Sequence, residues 1–277
     1  MVKKEKERRR GFFRSLEDEI RRKKSTFIIF VIIRAVIIIS GVRQLFIGNY
    51  ENALLCVLTL GLLLIPAFVS KTFKVELPTL LENIVLIFIF AAQVLGELND
   101  YYIKYPLWDS MLHVTTGFLA AAVGLSLIDL LNRSDNVKFN LSPLFVALVS
   151  FCFSMTTGVL WEFFEFFADM LLKTDMQKDT VIHSLSSVML NPNATNTAMK
   201  ISDISMTAVN QTPLGIDGYL DIGLIDTMKD LLVNFIGAVV FSVFGYFYAR
   251  FAGKGKGAKL VDGLRMRRRR SDDENRT

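Results

Sequence analysis

Histidine is almost missing from this chain: there are two in 277 residues, His113 and His183. A site built on three or four imidazoles is therefore excluded, and the H-E-x-x-H pattern of zinc hydrolases does not occur. Cysteine is as scarce. Cys56 and Cys152 both fall inside apolar runs, away from any C-x-x-C spacing, so a disulfide scaffold is excluded and both read as small buried hydrophobes. No Walker A sequence occurs, since Gly253–Lys259 is glycine-rich and basic but lacks the spacing and the Ser or Thr. No G-x-S-x-G or Ser/His pairing marks a hydrolase, and the Asp217–Asp226 stretch misses the EF-hand spacing. Charge is thin as well, at 21% of residues against 52% hydrophobic. That balance excludes disorder and an ordinary soluble enzyme.

Six long apolar runs fill the space. They cover Phe27 to Ile47, Ala53 to Val69, Leu77 to Leu95, Met111 to Leu131, Pro143 to Phe164 and Leu231 to Phe251. Each is long enough to cross about 30 Å of hydrocarbon, and a spanning segment must satisfy its own backbone, so each is expected to be a helix. The fold class expected is all-α: a polytopic membrane protein of about six transmembrane helices with both termini cytoplasmic. Three regions follow: a basic N-terminal segment 1–24, a six-helix domain 25–252 that includes an external loop 173–229, and a basic tail 253–277.

The net charge of +5 conceals an uneven distribution. Residues 1–24 carry 11 Lys/Arg and 5 Asp/Glu, residues 250–277 carry 10 and 4, and the stretch between them is acidic. Basic residues flanking apolar spans point to the anionic inner leaflet of a membrane rather than to nucleic acid. The short loops agree: Lys71 and Lys74, Arg133 and Lys138, and the Arg265–Arg270 tail all fall on the side of the basic N-terminus. A multi-pass protein of a bacterial cytoplasmic membrane is the expected setting. In the external loop, Val181, Ile182, Leu185, Val188 and Met189 recur at helical spacing and suggest a short amphipathic helix at the membrane surface.

One concentrated chemical signal remains. Asp109 and His113 stand one helical turn apart at the start of the fourth run, with Gly117 a turn deeper. The fifth run leaves through Trp161-Glu162-Phe163-Phe164-Glu165, and the sixth is entered through Asp226, Asp230, Asn234 and Gly237 on one stripe. Polar helix ends are often merely solvated, and Glu97 and Asp100 fit that account as well as any other. Glu162 and Glu165 fit it poorly, because they sit among aromatic residues where a carboxylate is costly unless paired, protonated or bound to a cation. Arg34, inside the first run, either snorkels towards the inner surface or pairs with Glu82.

The order D-x-x-x-H-x-x-x-G, W-E-x-x-E and D-T-x-x-D-x-x-x-N-x-x-G resembles the YjdF-like inner-membrane proteins and, more distantly, the VanZ-like proteins linked to glycopeptide resistance. It rests on Asp109, His113, Gly117, Glu162, Glu165, Asp226, Asp230, Asn234 and Gly237. The resemblance implies a shared site but no catalytic mechanism. From the residues, the expected ligands of one or two divalent metal ions are His113, Glu162, Glu165 and Asp230, oriented by Asp109, Asp226 and Asn234. Such an ion would meet a polar lipid headgroup or a lipid-linked envelope substrate on the outer side. Two alternatives stand beside it: a proton- or cation-coupled transporter, or a polar network that only locks the helices together. A polar path continuing towards Arg34 would favour transport, and a cup closed below Gly158 would favour a surface site.

Overall fold

A computed structural model describes residues 23–132, 141–251, 253–255 and 257–268. Among them, six helical segments are long and apolar enough to cross a membrane. Residues 1–22, the loop 133–140 with Arg133 and Lys138, and the tail beyond 268 with Arg269 and Arg270 lie outside the described residues. The chain forms two compact units, one running to Thr156 and resuming at Val233, the other covering Thr157–Leu232.

The larger unit begins with α1 (Lys24–Ile47), closed by Gly48 in the left-handed region at φ 82°, where its N–H returns to the Leu45 carbonyl. Asn49 then caps α2 (Tyr50–Leu62), accepting from the Asn52 N–H at 3.0 Å. The second span is not one rod. Pro66 sits in the first turn of α3 (Ile65–Thr72), and because proline cannot donate, the chain turns at Leu63 and Leu64 and restarts there. After the short strand β1 (Val75–Glu76), α4 (Thr79–Phe90) runs without a break into a π-helical stretch, Ala91–Leu98. A one-turn helix α5 (Tyr101–Lys104) leads to α6 (Trp108–Asn132).

Two further long helices pass unbroken from one unit to the other: α7 (Pro143–Leu172) and α8 (Leu224–Arg250). Both overrun the apolar windows of the sequence. The fifth run was expected to end near Phe164 and the sixth to begin at Leu231, whereas the helices end at Leu172 and begin at Leu224, with the polar loop between them. α6 likewise starts at Trp108 rather than Met111, so Asp109 and Asp226 stand in the first turns of their helices while Glu162 and Glu165 lie well inside α7. The overrun has a local cause. The Asp221 carboxylate accepts from the Ile225 N–H at 2.7 Å and so caps the first turn of α8.

Within the larger unit, two apolar cores form. Ile33, Ile37, Cys56, Leu63, Leu86 and Ile89 join α1, α2 and α4. The other gathers Leu119, Ala122, Leu125 and Phe241 with Val75 and Leu81. It also includes Val261 and Leu264, because α9 (Ala258–Leu264) folds back from the basic tail and the strand β8 (Arg267–Arg268) pairs antiparallel with β1. Met266 donates its N–H to Ser126 Oγ at 3.0 Å. Outward faces are as apolar as the cores: Ile32, Ile39 and Phe46, seven residues apart on α1, are 57%, 69% and 88% exposed. A stripe of that kind suits lipid and not water.

The smaller unit holds the end of α7, the start of α8 and the polar loop between them. The amphipathic helix expected over 181–189 is absent. Val181 and Ile182 form β2 and pair with Tyr219–Leu220 (β7), and Leu185–Ser187 (β3) pairs with Met199–Ile201 (β4). β-branched residues and the cross-loop ladders override the weak helical period there. Ala208–Val209 (β5) and Thr212–Pro213 (β6) make a third hairpin. His183 is used up locally, its Nδ1 lying 3.0 Å from the Ile204 carbonyl.

Cys56 is buried as expected, whereas Cys152 is exposed on the outside of α7. The alternative of an Arg34–Glu82 pair is also corrected: Glu82 takes Lys23 at 2.6 Å, and Arg34 lies over the Phe30 ring at 4.5 Å.

Candidate functional site

In the larger unit, the first turns of α6 carry Asp109 and His113 on one face. Nε2 of His113 lies 3.6 Å from Oδ1 of Asp109, an ion-pair distance, and the two side chains are 11% and 22% exposed. Two neighbouring polar atoms, Trp108 Nε1 and Asp109 Oδ2, are enclosed without a hydrogen-bond partner among the described residues. One turn deeper the helices close on each other. Gly117 packs against the Asn234 carbonyl, and Gly237 against the Val114 carbonyl, so closely that neither position has room for a side chain. The Gly117 carbonyl accepts from Ser154 Oγ at 2.7 Å. Asn234 is 1% exposed, its Nδ2 facing Met155 Sδ at 3.6 Å while Oδ1 has no partner among the described residues.

Below that level the packing is shut. Ala121, Ala122 and Ala238 have no exposed surface, and Phe118 and Phe241 meet edge to face with centroids 4.9 Å apart. Ser126 and Ser150 are fully buried, and each gives its hydroxyl to the carbonyl four residues earlier in its own helix.

In the smaller unit, four carboxylates are excluded from solvent. Glu162 is 4% exposed, Glu165 8%, Asp226 9% and Asp230 2%. On α7 the acids turn inward while Phe163, Phe164, Phe166 and Phe167 stand out. Trp161 Nε1 donates to Glu165 Oε1 at 2.8 Å, fixing that carboxylate. Asp226 accepts from the Lys178 N–H at 2.8 Å and lies 3.7 Å from Lys229 Nζ. Gln177 Nε2 donates to Thr227 Oγ1 at 2.5 Å, a further tie between the loop and the first turn of α8. Asp169 receives the N–H groups of Met176 and Gln177 and the Thr174 hydroxyl, so it caps the chain reversal after α7.

The burial pattern separates the acids the sequence had grouped. Asp100 is 58% exposed and holds Lys104 at 3.0 Å, and Glu97 is exposed, so these two belong to the polar helix end. Asp109, His113 and Asn234 belong to the larger unit, and Glu162, Glu165, Asp226 and Asp230 to the smaller. Trp108 and Trp161 were not among the expected site residues. The signal for them was in the sequence, since each directly precedes one of its acids.

No curated protein and no solved structure matches the chain. Residues 25–251 match the family described as Predicted membrane protein (DUF2238), which reaches from the start of α1 to the end of α8. A six-span helical chain with that match over most of its length belongs to that family of membrane proteins.

Proposed function

We propose that the protein binds a divalent cation, one ion or two, through His113, Glu162, Glu165 and Asp230, and presents it to a phosphate-bearing or otherwise polar lipid or envelope headgroup. His113 would supply the imidazole from the larger unit, and Glu162, Glu165 and Asp230 the carboxylates from the smaller. Asp226 and Asn234 would orient the ligands, with the kinship to YjdF-like and VanZ-like proteins as part of the same reading. A mixed set of one imidazole and several carboxylates suits Mg²⁺, Mn²⁺, Zn²⁺ or Fe²⁺. When bound, the ion would polarise a phosphoryl oxygen or lower the pKa of a water.

The observation that carries this reading is the burial of four carboxylates on membrane helices, each at most 9% exposed. Such groups require positive charge or protons nearby.

The closed packing favours a surface site over transport. Below Gly117, Ser126 and Ser150 spend their hydroxyls on their own helices, and the buried Ser242 Oγ is left without a partner among the described residues. It also weakens a purely structural account, because the glycine contacts already hold α6 and α8 together.

Elemental analysis of protein purified without chelators tests the proposal. Wild type should carry stoichiometric Mg, Mn, Zn or Fe, and Glu162→Gln and His113→Ala should lose it while folding normally. A metal-free wild type that rebinds none of these ions on titration would remove the idea.

A further inference from the structure

A second region, independent of the cation site, lies where α6 and α8 end and α7 begins, on the face of the larger unit that carries β1 and β8. A cavity of about 190 Å³ opens there. Leu125, Ile128, Leu141 and Val146 make its apolar walls, and Asp129, Tyr248 and Arg265 its polar end. Arg265 is held in place by its own chain: Val261 and Leu264 on α9 are fully buried, and Met266 is bonded to Ser126.

The Arg265 guanidinium is 13% exposed and lies over the Tyr248 ring at 5.3 Å. Its two carboxylate neighbours are both distant for hydrogen bonding: Asp129 at 3.5 Å from Nη1 and Asp262 at 3.5 Å from Nη2. Nε is enclosed without a partner among the described residues. Asp262 is further occupied by the Tyr248 hydroxyl at 2.8 Å and by Arg267 at 3.7 Å. A planar, five-donor cation is thus fixed at the polar end of an apolar cavity with no short acceptor among the described residues.

We propose that this cavity binds a phosphate-bearing anion on Arg265, and specifically the phosphodiester of an anionic phospholipid whose first methylenes lie along Leu125, Ile128 and Val146. Three arguments select that ligand. The open side faces the level of the headgroups, since the lining residues lie at the ends of spanning helices. The volume suits a headgroup phosphate and the start of a chain, not a whole drug-sized molecule. With Asp129 and Asp262 beside it, a singly charged diester is favoured over a dianion, and the exposed Arg267, two residues from Arg265, adds positive charge that draws such lipids.

The test is native mass spectrometry of the full chain released from nanodiscs containing phosphatidylcholine with a minor fraction of phosphatidylglycerol, with and without inorganic phosphate. Wild type should retain one phosphatidylglycerol with a preference of about fivefold over phosphatidylcholine, the factor expected of one arginine at a membrane surface. Arg265→Gln should abolish that preference, and Arg250→Gln, an exposed arginine bonded to Tyr246, should keep it. Asp129→Asn removes a competing carboxylate and should raise retention, which serves as the deciding variant if Arg265→Gln does not fold. Displacement of the lipid by millimolar phosphate would assign the site to free phosphate with the same Arg265 chemistry. Equal retention of the two lipids with no phosphate effect, or unchanged preference in Arg265→Gln or Asp129→Asn, would overturn the proposal.

Discussion

Glu162 and Glu165 invert the usual logic of an amphipathic helix. On α7 the charged groups turn inward and the phenylalanines outward, which is stable only where the outside is hydrocarbon and the inside supplies charge compensation. Insertion scales put an acidic residue at a helix centre at about 2.5–3.5 kcal/mol, so burying both sets a demand that a solvated helix end does not face. Asp179, in the polar loop, carries a smaller version of this tension. Partial desolvation, then repulsion from Asp175, Asp221 and Asp169, pushes its carboxyl above the ordinary range, while a hydrogen bond from the Gly223 N–H acts the other way. A pKa raised on folding means that the folded loop favours the protonated form. The associated stability is therefore complete below the unfolded carboxyl pKa, near 4, and is lost as pH rises through the folded value. Asp179→Asn, which mimics the protonated form, should slow hydrogen exchange of residues 175–223 at pH 7 and make no difference at pH 4. Equal exchange at both pH values would show that the repulsion has no energetic weight.

At the scale of elements, helix existence was readable from apolar runs, but helix ends were not, because the ends are set by capping that periodicity does not encode. Asp221 and the loop ties at Asp226 extend α8 back to Leu224. α9 was hidden for a different reason: Val261, Leu264 and Met266 are few and lie in a stretch dominated by Arg and Lys, yet they complete the core beside Leu125 and Phe241. The residue motif D-x-x-x-H-x-x-x-G was legible, and its glycine has a plain role. Gly117 sits against the Asn234 carbonyl, where a methyl group has no room. Gly117→Ala should force α6 and α8 apart and lower stability by about 1–3 kcal/mol, the usual cost of overpacking. Thermal melting of the detergent-purified protein measures it, and a melting temperature equal to wild type would mean that the crossing can relax freely.

For the whole molecule, the order of spans dictates which segments share a membrane face, and contacts within the larger unit agree with that order. Two crossings separate Lys23 from Leu77, and Lys23 Nζ donates to the Leu77 carbonyl at 3.0 Å. Four separate Val75 from Arg268, and those two residues pair across β1 and β8. An odd number of crossings in either case would have made the contact impossible, so the parity of six spans is checked twice by backbone and side-chain hydrogen bonds. Three candidate spans lie between Lys74 and Lys200 in the sequence, so the span count predicts opposite faces for these two exposed residues. Single cysteines at 74, 200 and 267, in a background with Cys56 and Cys152 replaced by Ala, turn this into a measurement. A membrane-impermeant maleimide should label 74 and 267 from one side and 200 only from the other. Labelling of 74 and 267 from opposite sides would break the span count, and with it the return of the basic tail that positions Arg265.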